Sequence, residues 1–313
     1  MTTAQMMRHE ETLAAHGASV ERVVEVLRRS TDRILTLEEM ADIACVSPFH
    51  FNRIFHRSTG VSPRRFQCSL RMEQAKRLLV TTDLTPLDVC LECGYSSLGT
   101  FTRRFGDMVG WSPQRFREKS RLVNSFPELL AIRASQMSEA SVSNHAGVCG
   151  IVHAPASFQG WIFVAAFEDS IPQGMPIACS IISAPGRFKL APVRNGICHV
   201  MAAGIEKTGP NTCLLHDQAL RAASAPLIIQ EGVLQGPGPE LCLREGHDLD
   251  VPILLPLGLI LSQKLAASQP KQAGHTAHSI KSIKKGLPLS MLGRHLKATL
   301  PNAANRETKS GLA

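Results

Sequence analysis

The sequence predicts a multidomain chain: an all-α double helix-turn-helix domain, then an all-β sandwich, then a disordered tail. Three observations predict it. A block of residues in the first third is written twice, fifty positions apart. Short apolar runs separated by turn residues fill the middle, and the last stretch is basic and aperiodic. The boundaries that follow are 17–121 for the helical domain, 122–146 for a Ser/Ala-rich linker, 147–262 for the β domain and 263–313 for the tail.

The repeat is the strongest signal, because internal similarity means one supersecondary unit used twice. Phe51, Arg53, Phe55, Gly60, Ser62, Pro63, Arg65 and Phe66 match Phe101, Arg103, Phe105, Gly110, Ser112, Pro113, Arg115 and Phe116. Ser47/Ser97 and Leu37/Leu87 keep the same offset. In the first unit Thr36-Leu37-Glu38-Glu39 is a capping box that opens a helix carrying Leu37, Met40, Ala41 and Ala44. Cys45-Val46 is the turn, and Ser47 with Pro48 starts the second helix. On that helix Phe51, Ile54 and Phe55 form a core face, and Phe49, Asn52, Arg53 and His56 form an outer stripe. His50 is expected to pack toward the core. In the second unit Thr85-Pro86 starts a helix that ends at Gly94, and Ser97 caps the next one. Its core face is Phe101 and Phe105, and its outer face is Gly99, Thr102, Arg103 and Gly106.

The flanks complete a domain of seven helices. Val20, Val23, Val24 and Leu27 make an amphipathic helix before the first unit. Ser62-Pro63 starts a long connecting helix with Phe66, Leu70, Ala75, Leu78 and Leu79, and Ser112-Pro113 starts a last one with Phe116. Two helix-turn-helix units on one small domain suit a reader of double-stranded DNA.

The linked series Phe51-x-Arg53-x-Phe55-x4-Gly60-x-Ser62-Pro63, Arg71-x3-Ala75-x2-Leu78-Leu79, Asp88-Val89-x3-Cys93-Gly94-Tyr95-Ser96-Ser97 and Phe101-x-Arg103-x-Phe105-x4-Gly110-x-Ser112-Pro113 resembles the AraC/XylS family of bacterial transcription regulators. The resemblance implies two helix-turn-helix motifs on a stiff helix, entering successive major grooves about 34 Å apart. It carries the base-facing role to Phe49, Asn52 and Arg53 and, in the second helix, to Gly99, Thr102 and Arg103. With their neighbours, the DNA-binding candidates are Phe49, Asn52, Arg53, His56, Thr100, Thr102 and Arg103. Arginine can bind guanine O6/N7 bidentately and asparagine can read adenine. Leu98, Gly99 and Gly106 give the second helix no polar reach, so the first unit is expected to supply most base readout. The implied partners are promoter DNA and RNA polymerase. A small-molecule effector or self-pairing would belong to the β half. The family's usual order puts the DNA-binding part last; here it comes first, which argues against carrying over a sugar pocket.

Charge follows this division. Residues 17–121 hold 17 Lys/Arg against 12 Asp/Glu, residues 122–262 hold 7 against 11, and residues 263–313 hold 9 against 1. A basic domain suits phosphate contacts; an acidic middle does not. The first residues lack an apolar signal core, and Val251–Leu261, the longest apolar stretch, is short and broken by Pro252 and Pro256. The expectation is a cytoplasmic, nucleoid-associated protein that does not span a membrane. Nine cysteines in apolar context read as reduced thiols. Cys90-x2-Cys93 has no second pair at zinc spacing, so no metal or cofactor is expected.

In the β half the expected strands are Gly150–His153, Gly160–Phe167, Ile177–Ser183, Arg187–Leu190, Gly196–Gly204, Leu227–Glu231, Glu240–Arg244 and Ile253–Leu255. They predict an antiparallel sandwich or small barrel. Pro185-Gly186-x-Phe188 with Asn195-Gly196-x-Cys198-x-Val200-x-Ala202 resembles transthyretin-like modules of the carboxypeptidase regulatory type. Phe158, Trp161, Phe163 and Phe167 read as core packing rather than a ligand shelf. AraC-like units also occur fused to DNA alkyltransferases, whose nucleophilic cysteine sits in a Pro-Cys-His-Arg context. Ile197-Cys198-His199-Val200 lacks the flanking Pro and Arg, and adjacent strand side chains point to opposite faces, so no enzyme is expected.

Overall fold

Thr36 and Thr85 each close a capping box, and each therefore starts a short helix. In the computed structural model, which describes residues 3–124, 147–191, 193–206, 215, 219–257 and 260, seven helices precede nine strands. The helices are α1 (Thr3–Arg29), α2 (Leu37–Ala44), α3 (Pro48–Thr59), α4 (Pro63–Thr81), α5 (Pro86–Glu92), α6 (Leu98–Val109) and α7 (Pro113–Asn124). The amphipathic segment expected around Val20–Leu27 is the last part of α1, which runs back to Thr3. The expected linker lies, apart from the end of α7, outside the described residues, and the expected tail lies outside them entirely.

The duplication is physical down to its caps. Ser47 and Ser97 accept from the backbone N–H groups of His50 and Thr100, both at 3.4 Å. Gly60 and Gly110 end α3 and α6 in the left-handed region, at φ 75° and 90°. Behind each helix runs the same chain of rings. Phe51, Phe55 and Phe66 follow at centroid spacings of 5.4 and 5.4 Å; Phe101, Phe105 and Phe116 follow at 5.8 and 5.7 Å. All six are fully buried.

One detail of the repeat differs from the sequence reading. The fifty-residue offset holds for α3 and α6 but not for the helices before them. Their caps, Thr36 and Thr85, are forty-nine apart, as are the left-handed turn residues Cys45 (φ 57°) and Gly94 (φ 67°). Met40, Ala41 and Ala44 therefore match Val89, Cys90 and Cys93, and every one of these is buried. Leu37 and Leu87 are not equivalents: Leu37 packs on the core, whereas Leu87 is exposed. The second turn is one residue longer. Arg71 of α4, itself buried, holds that turn by donating from Nε to the Cys93 carbonyl at 2.7 Å while its guanidinium lies 3.9 Å from the Tyr95 ring centroid.

The strands are β1 (Val148–His153), β2 (Gly160–Phe167), β3 (Ala178–Ile182), β4 (Gly186–Leu190), β5 (Gly196–Glu206), β6 (Leu220–Ala223), β7 (Leu227–Gln230), β8 (Val233–Leu234) and β9 (Glu240–Cys242). They form a three-stranded sheet, β4-β1-β9, and a six-stranded one, β3-β2-β5-β7-β8 with β6 also on β5. Seven of the expected strands are present. The eighth, Ile253–Leu255, is not a strand: it runs as irregular, buried chain between Pro252 and Pro256, which have no N–H to give a ladder. Nor is the half wholly antiparallel, since β1 and β9 pair in parallel.

The helical and β parts share their interior. Strand β2 is buried along its whole length on both faces. Ile162, Val164 and Ala166 face a core with β1, β4 and β5 residues. Trp161, Phe163, Ala165 and Phe167 face the other way and join Met72, Leu79, Phe101 and Phe105 of the helices. Phe158 packs in the first of these cores, so the four aromatics are not one cluster. Polar contacts cross the same seam: Arg65 pairs with Asp169 at 2.7 Å, and Gln173 Nε2 donates to Ser69 Oγ at 2.7 Å. The buried Lys76 Nζ donates to the Ile253 carbonyl at 3.1 Å.

Candidate nucleic-acid interface

Helices α3 and α6 turn one face to the phenylalanine rows and the other to solvent. On α3, Phe49 is 82% exposed and Asn52, Arg53, His56 and Arg57 are all exposed. On α6, Thr100 and Arg103 are exposed, Thr102 is half-buried, and Gly99 leaves the surface bare where Phe49 stands on α3. All seven candidate residues thus lie on α3 or α6, six of them exposed.

The arginines differ in support. Arg53 Nη2 lies 3.2 Å from His50 Nδ1, and His50 Nε2 lies 3.1 Å from His16 Nε2 of α1. Arginine can only donate, so His50 Nδ1 accepts and its Nε2 carries the proton toward His16. His50 therefore packs half-buried, as expected, but it also steadies Arg53. The equivalent of His50 in the second unit is Thr100, which cannot do the same. Arg104, next to Arg103, is exposed overall, but its Nη1 donates to the buried Cys68 Sγ at 3.3 Å.

Sequence reasoning missed His16, and it placed Arg71 and Gly94 in the motif without the contacts they make. Gly94 is positioned by its turn and by crowding, since a Cβ there would overlap the Asp32 carbonyl oxygen at 2.1 Å. The glycine after a predicted helix end signalled the turn, but nothing local signalled the neighbour. His16 has no local signal at all.

The profile described as "Helix-turn-helix domain" matches residues 40–119. The bifunctional transcriptional activator/DNA repair enzyme AdaA of Bacillus subtilis is 28% identical over 107 residues, covering 34% of this chain and 51% of that protein. The melibiose operon regulatory protein of Escherichia coli is 26% identical over 114 residues, covering 36% and 38%. Among solved structures, the DNA-binding domain of AdpA in complex with a target DNA is 28% identical and covers 35% of this chain and 96% of that one, with a TM-score of 0.33. This chain thus spans about half or less of these curated relatives. Residues 40–119 are an AraC-type helix-turn-helix domain.

Proposed function

We propose that this chain is a sequence-specific DNA-binding regulator of transcription that inserts α3 and α6 into successive major grooves. One observation carries the reading: two helices with the same caps and the same aromatic backing present exposed Arg53 and Arg103 at equivalent positions. Phe49, Asn52, Arg53 and His56 would read one groove and Thr100, Thr102 and Arg103 the next. The His50 tether on Arg53 supports unequal shares, with direct readout concentrated on α3 and backbone grip on α6. At a promoter such a protein acts through RNA polymerase in the bacterial cytoplasm, and the β half senses an effector or pairs with a second copy. No helix of the described residues is long and apolar enough to cross a membrane.

The test is selection of bound sequences from a random duplex pool by the full chain, followed by Asn52→Ala and Thr102→Ala against mutated sites. Asn52→Ala is expected to relax base preference at one position, costing about 1–3 kcal/mol there. Thr102→Ala is expected to weaken binding evenly. Equal loss of discrimination from both refutes the asymmetry, and no selected sequence refutes the function.

The repair-enzyme alternative finds little support at its cysteine. Cys198 lies buried in β5, and burial pushes its thiol up, away from the reactive thiolate.

A further inference from the structure

A cavity of about 550 Å³ lies at the seam between the helical and β parts, within the size range of small-molecule sites. Ser58 and Thr59, the last turn of α3, line it on the helical side. Phe163 and Phe167 of β2 give it apolar surface. Arg221 of β6 gives it charge.

Arg221 is the unusual member. Its side chain is only 16% exposed, and its Nε is buried without a hydrogen-bond partner among the described residues. One Nη1 donates to the Val251 carbonyl at 3.3 Å. Asp250 Oδ2 stands 3.9 Å from Nε, and the Glu73 carboxylate also acts on the guanidinium. The Asp250 carboxylate is already engaged: it accepts from Arg244 at 2.7 and 2.8 Å and from the His247 N–H at 2.7 Å. A guanidinium withdrawn from water and left short of acceptors is costly unless something supplies them. Glu240, Arg244 and Asp250 also line the cavity; Arg244 and Asp250 are paired with each other, and with Arg221 the four lining charges sum to zero.

We propose that this cavity binds a small organic acid, its carboxylate on Arg221 and its apolar body on Phe163 and Phe167. Because Ser58 and Thr59 end α3, an occupant touches the helix that carries Arg53. Its role as an effector rests on the DNA-binding reading; the binding itself does not.

Calorimetry on the full chain with benzoate, 3-phenylpropionate, octanoate and decanoate, each against its primary amide, tests this. At least one acid is expected to bind, with its amide weaker by roughly tenfold or more. That comparison uses the unaltered chain, so no variant has to fold. Arg221→Gln is expected to abolish the preference for the acid and Arg221→Lys to restore part of it. Binding by none of the four acids, equal binding of acid and amide, or an undiminished preference in a folded Arg221→Gln overturns the proposal. Sequence selection by the same preparation is scored separately. Acid binding without selected DNA removes the regulator reading and leaves the site; selected DNA without acid binding does the reverse.

Discussion

Arg53 and His50, three residues apart on α3, are joined by a hydrogen bond of 3.2 Å between Nη2 and Nδ1, and the second histidine, His16, holds the other side of the ring. A long side chain on a recognition surface loses rotamer freedom when it grips its target, and one already held loses less. His50→Ala is therefore expected to weaken binding to the selected site by about threefold to tenfold, less than Arg53→Ala. Thr100→Ala, at the equivalent place on α6, is expected to leave the contribution of Arg103 unchanged. Fluorescence anisotropy on these three variants and on Arg103→Ala checks this; an Arg53 that acts equally well without His50 contradicts it.

Two of the left-handed glycines, Gly60 and Gly94, differ in what surrounds them. A Cβ at Gly60 would meet nothing within 4 Å, so Gly60→Ala should cost only its backbone strain, about 1–2 kcal/mol. At Gly94 the same strain is joined by overlap with the Asp32 carbonyl, and Gly94→Ala should cost about 3 kcal/mol or more. Chemical denaturation of both variants ranks them.

Cys45 occupies the same left-handed conformation as Gly94 without being glycine. Cys45→Gly is expected to raise stability by about 1 kcal/mol, because the steric penalty at φ 57° disappears and the exposed thiol contributes no core packing. A lower melting temperature would show that the Cys45 side chain matters in a way its exposure hides.

Thiol labelling should separate the cysteines by place. Burial pushes the Cys93 thiol up to about 12, with the Arg71 charge pulling against it, and burial raises Cys90 as well. Iodoacetamide at neutral pH is expected to modify the exposed Cys45, Cys149 and Cys242 and to spare Cys90 and Cys93 until the chain unfolds. Early modification of Cys93 would mean that the second turn opens locally.

Asp250 gives a pH dependence of definite sign. Burial pushes its carboxyl up, but hydrogen bonds from Arg244 and the His247 amide, with the Arg221 and Arg244 charges, outweigh burial and hold it below the usual carboxylate range. A group lowered on folding contributes stability above its unfolded pKa, near 4, and loses it as pH falls through the folded value. Asp250→Asn is expected to lower stability at neutral pH and to flatten its fall below about pH 4. Denaturation midpoints from pH 7 to pH 3 measure both.

The helical half was legible because its signals are local. Ser-Pro starts, left-handed glycines and phenylalanines at helical spacing each act within a few residues. The one slip, pairing Leu37 with Leu87, came from counting a turn as constant when it gains a residue. Most strands were legible as apolar runs between turn residues, but β6, Leu-Arg-Ala-Ala, has only one bulky apolar residue and β8 has two residues in all, and Ile253–Leu255 looked like a strand because it is apolar. What no local pattern revealed is contact across the chain: His16 on His50, Asp32 against Gly94, and the seam that makes the cavity. Both faces of β2 carry apolar residues, which the sequence shows, but which neighbour covers each face is a matter of tertiary arrangement.

That double burial of β2 has a practical outcome. Cutting the chain after α7 would uncover Met72, Leu79 and their neighbours where Trp161 and Phe163 now sit, and cutting away the helices would strip the opposite partner from the same aromatics. Either fragment would present a greasy flank to water and tend to self-associate, so purification of the separated halves calls for surface redesign at that flank.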